Sequence, residues 1–191
     1  ATPPEVRQMD QRAAPESNTL VAAVYLQAQM LRGQADRAAT ALKAVSATDP
    51  RVGEMEAMSG YAHIMLAEMF CSGVPLGTPG VDGAPQTTSA VLQAGVTKLT
   101  AAVTSAGSDT RTKSLASVLR GRALVNLGLF DQAAAAVAGV ATSFSYTTLH
   151  SINSGLINTH ASLRCSEMSI TITRSCTSTC VAARPMPSAA Y

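Results

Sequence analysis

The stretch SGVPLGTPGVDGAPQ, residues 72–86, sets the first limit on what this chain can become. It packs four glycines and three prolines into one short run. Each proline lacks an N–H and each glycine adds backbone entropy, so neither a helix nor a central strand survives that density. The run is therefore an ordered corner or a long surface loop, and it divides the residues before it from those after it. Its glycines are not in G-x-x-x-x-G-K-[ST] or G-x-G-x-x-G spacing and no strand precedes them, which argues against a phosphate cradle.

Both sides of the run read as helix. Residues 1–17 hold three prolines and form a loose lead-in. Ser17, Asn18 and Thr19 are good N-cap types, and LVAAVYLQAQMLR follows without a breaker until Gly33. A second helix is expected from Gln34 to Ser46, with Asp36 and Arg37 in its first turn. Asp49 caps a third, with Pro50 at its first position, where a missing N–H does no harm. In that helix Met55, Met58, Ala62, Met65, Leu66, Met69 and Phe70 recur largely at steps of three and four, a stripe of core filler. Ile64, Ala67 and Cys71 widen the apolar surface to two sides, while Gly53 and Gly60 weaken the first turns. Beyond the corner, Thr87 or Thr88 caps a helix over about 89–106 with the stripe Leu92, Val96, Leu99 and Val103, closed by Gly107. A helix from about Leu115 to Leu127 then turns at Gly128 into DQAAAAVAGV. The expectation is an all-α chain of about six helices over 18–148, arranged as helical hairpins. An irregular tail covers 149–191.

Composition removes several functions. Hydrophobic residues make up 47% and charged residues 14%, so the chain can bury a core. A net charge of +2 is too small to suggest nucleic-acid binding, and 4% aromatics with no Trp leaves no stacking platform. No segment approaches the roughly 20 apolar residues of a bilayer span. His63 and Glu68 are five apart and do not share a face, whereas a zinc helix needs ligands at i and i+4, so His63 reads as structural or surface. Cys71 has no Lys or Arg near it in sequence and reads as an inert, buried thiol. Cys165, Cys176 and Cys180 form no C-x-x-C pair, and four cysteines are too few for a disulfide framework. The three histidines, His63, His150 and His160, are scattered. No G-x-S-x-G, H-E-x-x-H or P-loop occurs. No catalytic residue, metal ligand or cofactor is expected, and the ligand-contacting residues are not identifiable from the sequence.

After Ala141 the character changes. Residues 147–191 contain fifteen Ser or Thr among forty-five, together with three of the four cysteines. ITIT at 170–173 suits a short strand but has no evident partner. The tail has the composition of an out-of-frame reading. At the other end, ATPPEVRQMD has neither a basic n-region nor an apolar h-region and reads as a mature or clipped start.

Two segments superpose: GQADRAATALKAVSATDP (33–50) and GLFDQAAAAVAGVATSFS (128–145). Counting from each glycine, Ala38 matches Ala133, Leu42 matches Val137 and Val45 matches Val140. This resembles the second helix of a tetratricopeptide repeat, and the Gly121, Leu124, Gly128 spacing matches that repeat's first helix. Glycine permits the inter-helix turn and alanine lets the helices approach, so Ala38 and Ala133 should face an adjoining helix. The two glycines are 95 residues apart, not a multiple of the repeat's roughly 34, so insertions interrupt the array.

An interrupted set of such repeats around EMEAMSGYAHIMLAEMFCSGVPLG resembles the SusD/RagB-like nutrient-binding lipoproteins of the bacterial outer membrane. Glu56, Ala57, Ala62, Leu66, Phe70, Gly73, Val74, Pro75 and Leu76 carry the likeness. TTSAVLQAGVTKLTAAVTSAG is similar to the family's next helix, and LASVLRGRALVNLGLFDQAAAAVAGV to its later repeat. The resemblance implies a cell-surface protein that caps a TonB-dependent transporter and captures glycans or peptides without catalysis. The family's lipid-carrying cysteine near the N-terminus is absent, and nothing after His150 resembles the family. A truncated or frameshifted member is the expectation. A helical-repeat adaptor for a protein segment, and a fragment without autonomous function, are the alternatives. Sequencing of the coding DNA checks the frameshift: family-like sequence should resume downstream in another frame, and an in-frame gene without it contradicts the expectation.

Overall fold

The computed structural model describes residues 3–11, 13–15, 17–70, 72–78, 81, 83–151 and 167–173. In chain order the elements are α1 (Pro4–Asp10), α2 (Thr19–Val45), α3 (Arg51–Met69), β1 (Val74–Pro75), β2 (Pro85–Gln86), α4 (Thr88–Ser105), α5 (Thr110–Asn126), α6 (Phe130–Val137), β3 (Ser145–Ser151) and β4 (Glu167–Thr173). They fall into two units, Ala1–Val140 and Ala141–Tyr191. The chain is all-α in character: six helices, and few, short strands among the described residues.

The lead-in is more ordered than its prolines suggest. Asn18 is buried and caps α2, its Oδ1 accepting from the Leu20 and Val21 N–H groups at 3.1 Å each. Its amide nitrogen donates to the Glu5 carbonyl at 3.0 Å and to Gln8 Oε1 at 2.9 Å, which docks α1 on the start of α2. One side chain thus satisfies two orphan N–H groups and fixes the chain entry.

No turn forms at Gly33. The helix expected to break there runs on for 27 residues as α2. The positive-φ glycines among the described residues are Gly73, Gly107 and Gly128. A single interior glycine costs a helix about 1 kcal/mol, and the alanine-rich sequence on both sides outweighs it. The buried stripe Ala28, Ala35, Ala39 continues straight across the site. Ala38 is therefore only half-buried, and its neighbours Ala35 and Ala39 make the close contact instead.

α3 lies at the centre, packed against α2, α4 and α5. Its buried set runs round the helix and includes Val52, Gly53, Ala57, Gly60, Ile64 and Leu66. Of the expected stripe, Ala62 and Leu66 are core and the methionines are not. Met55, Met58 and Met65 are half-buried and Met69 is 51% exposed. The methionines sit off the line on which α3 and α4 approach most closely, where glycines make room. A Cβ at Gly53 would lie 2.6 Å from Ala106 N and 2.8 Å from its Cα, and one at Gly60 would lie 2.5 Å from Leu99 Cγ. Gly95 answers from α4, where a Cβ would meet His63 Cβ at 3.1 Å. The two glycines that weaken α3 on propensity are the points where its partner fits.

The α5–α6 hairpin forms as the second repeat copy implies. Gly128 turns the chain at φ 76°. Gly121 makes a notch in which a Cβ would sit 2.8 Å from Val137 Cγ1. Ala133 and Ala136 are buried with Leu124, and Val96 of α4 packs against them. In the second unit, β3 pairs antiparallel with β4 from Ser145↔Thr173 to Ser151↔Glu167. ITIT lies on β4, and β3 is the partner that local sequence did not reveal.

Two glycine substitutions should move stability in opposite directions. Gly53→Ala forces a Cβ into the backbone of α4 and should cost about 1–3 kcal/mol. Gly33→Ala has nothing within 4 Å of the new Cβ and should gain about 0.5–1 kcal/mol. Urea denaturation of both variants measures this.

Candidate functional site

Tyr25, Gln29 and Arg32 recur at steps of four and three along one line of α2, and all three are used to hold the corner. The Gln29 amide donates to the Pro75 carbonyl at 2.9 Å and to the Tyr25 hydroxyl at 3.0 Å. Arg32 Nη2 donates to the Gly77 carbonyl at 2.8 Å, and its Nε to Gln29 Oε1 at 3.0 Å. The Tyr25 ring meets Phe70 edge-on, centroids 5.0 Å apart.

The corner has its own internal ties. Val74–Pro75 pairs with Pro85–Gln86, and the Gly73 N–H donates to the Gln86 carbonyl at 2.8 Å with Gly73 at φ 111°. Thr78 and Val81 exchange both backbone hydrogen bonds, at 3.1 and 2.9 Å. Gly83 passes so close to Leu76 that a Cβ would fall 2.4 Å from its carbonyl carbon. The proline-rich run is thus a minimal two-strand ladder, joined to α2 through the Pro75 carbonyl. Between it and α2 lies a cleft of about 460 Å³, lined by Gln29, Arg32, Gln34, Arg37, Gly77 and Gly83 among others.

A second polar cluster joins α2, α3 and α4. Lys98 donates to Asp36 at 2.7 Å across a sequence gap of 62 residues. Burial pushes the Asp36 pKa up, but the Lys98 hydrogen bond, the nearby Ser59 hydroxyl and the Lys98 charge together hold it below the usual carboxylate value. The Ser59 hydroxyl is buried and close enough to favour the charged form of Asp36, without a well-formed hydrogen bond among the described residues. His63 is 3% exposed and its Nδ1 lies 2.8 Å from the Ser59 carbonyl. A carbonyl only accepts, so Nδ1 carries the proton. Burial pushes the His63 pKa down. The Ser59 carbonyl opposes that shift, Arg32 and Lys98 reinforce it, and Asp36 opposes it. Nearby, Lys43 reaches Glu56 Oε1 at 2.5 Å, while the buried Oε2 has no partner among the described residues.

The structure keeps His63 and Glu68 apart. Glu68 faces α5, where it accepts from Arg122 Nε at 2.7 Å and Asn126 Nδ2 at 2.6 Å. His150 is placed in β3 by its backbone. His160, Cys71, Cys165, Cys176 and Cys180 lie outside the described residues. Among the described residues no three His, Cys, Asp or Glu side chains group as metal ligands, and no helix is long and apolar enough to cross a membrane. The cleft residues escaped the sequence reading, although the polar 25–29–32 spacing on an alanine-rich helix was a visible signal. Neither a family model, nor a curated protein, nor a solved structure matches the chain.

The lowered His63 pKa has a definite sign. The unfolded chain binds this proton below about pH 6.5 while the folded one resists it, so stability is full above that pH and falls as pH drops through it. One such proton gives a slope of at most about 1.4 kcal/mol per pH unit. Urea denaturation at pH 7, 6 and 5 should show the loss, and His63→Gln should flatten it.

Proposed function

We propose that the chain is a non-catalytic cell-surface binding protein that captures a glycan or peptide for a TonB-dependent outer-membrane transporter. The observation that carries this reading is the strapped corner. Gly-Val-Pro-Leu leaves the central helix, is tied back to α2 through Gln29 and Arg32, and leads into α4 and then the α5–α6 hairpin. That is the order of parts the resemblance to SusD/RagB-like proteins implies. The tie also leaves an open cleft of mixed polar and apolar lining on a helix, the setting in which binding groups keep their geometry. His63 favours capture over chemistry, because it is buried and engaged by a backbone carbonyl.

A second reading, a helical-repeat adaptor for a protein segment, draws on a different feature. Val125, Leu129 and Phe130 are exposed around the α5–α6 turn, Phe130 by 66%. An apolar edge of this kind suits a partner helix or an extended peptide.

Titration of the purified chain with oligosaccharides and short peptides, with co-purification from the native host, separates the two. The capture reading expects a glycan or short peptide to bind and a large outer-membrane barrel to co-purify. Neither event, together with tight binding of a long protein segment that Phe130→Ser abolishes, would replace it with the adaptor.

A further inference from the structure

We propose that the cleft between α2 and the corner is a binding site for a sugar acid, either free or at the end of a chain. This deepens the capture reading and rests on it for the sugar, whereas the carboxylate is inferred from the cleft itself. Arg32 is oriented there by two hydrogen bonds, from Nε to Gln29 and from Nη2 to Gly77, which leave Nη1 uncommitted. Arg37, five residues further along α2, lines the same cleft and is exposed. The cations ion-paired among the described residues are Lys43, Arg51, Lys98 and Arg122, so among those residues neither cleft arginine has a carboxylate of its own.

Both guanidinium groups line the cleft, Arg32 held by the corner and Arg37 exposed, and each attracts an anion that enters it. A carboxylate is the planar partner their fork geometry matches best. Gln34 and Tyr25 line the same space and carry both donors and acceptors, which suit the hydroxyls of a sugar. Gly33 has open space where a side chain would stand, so a ring can lie against the backbone of α2 there. The cleft's size, about 460 Å³, falls within the roughly 300–1,000 Å³ of small-ligand sites.

The test is ligand-observed NMR titration of the full chain at low salt. The probes are galacturonate, its trimer, galactose, the neutral trimer of the same linkage, and an acidic tripeptide. Galacturonate or its trimer should bind at least about tenfold more tightly than the neutral counterpart. Preference for the trimer assigns the site to a chain end, and equal affinity assigns it to the free acid. Arg37→Ala should weaken uronate binding about tenfold and leave the melting curve unchanged, because this exposed side chain ties nothing together in the fold. Equal affinity for acidic and neutral sugars, or uronate binding untouched by Arg37→Ala, would overturn the site and leave the capture reading standing. Binding of the tripeptide with no sugar bound would overturn the sugar assignment alone. No binding by any probe would remove both.

Discussion

The contact between α3 and α4 is the constraint on which the helical unit depends. At Gly53 the two helices meet backbone to backbone, and at Gly60 and Gly95 each gives way to a side chain from the other. Close approach of this kind draws its energy from many small dispersion contacts and not from a few large side chains. It explains why the central helix buries glycine, alanine and serine beside Val52, Ile64 and Leu66, while its methionines lie at the margins. It also accounts for the arrangement of the neighbours. With α4 seated on one side of α3, α2 covers another side and α5 reaches a third. The hairpin α5–α6 repeats the same device on a smaller scale, with Gly121 accepting Val137.

Packing of small residues is permissive about register, and polar contacts between the helices restrict it. Lys43 to Glu56 ties α2 to α3, Lys98 to Asp36 ties α4 to α2, and Glu68 ties α3 to Arg122 and Asn126 on α5. Partly exposed pairs such as Lys98 with Asp36 contribute little net stability, on the order of 0–1 kcal/mol. Their weight lies in disfavouring shifted alignments, in which a charge would be left without its partner. Glu56 shows the cost of this device: one carboxylate oxygen is satisfied and the other is buried without a partner among the described residues.

Much of the helical architecture was legible in the sequence, because long alanine-rich runs punctuated by caps leave few alternatives. Asn18 and Thr87 cap helices through their side chains as expected, whereas Asp109 caps α5 at Thr110, ahead of the expected start at Leu115. Gly128 was legible as a turn for the same reason that Gly33 was misread. A glycine between helical runs permits a turn without requiring one, and which outcome holds is decided by contacts made elsewhere in the chain. Gly53 and Gly60 show the same gap from the other side: propensity registers only their weakening effect, whereas their close contacts are with residues more than 35 positions away. The cleft was illegible for a related reason. Arg32 and Gln29 gain their roles from carbonyls at Gly77 and Pro75, more than 40 residues on, and a backbone acceptor leaves no mark in residue type.

Attachment through main-chain atoms bears on how the corner can change over generations. Its anchors grip carbonyl oxygens, which every amino acid supplies equally, and not side chains that drift could remove. The residues that supply those carbonyls can thus change side chain without loss of the tie, whereas Gly73 and Gly83 are held by the path itself. The anchoring pair on α2 carries the opposite burden, since a shorter or uncharged replacement has no substitute nearby. A segment built this way can explore new surfaces for recognition without renegotiating how it is attached.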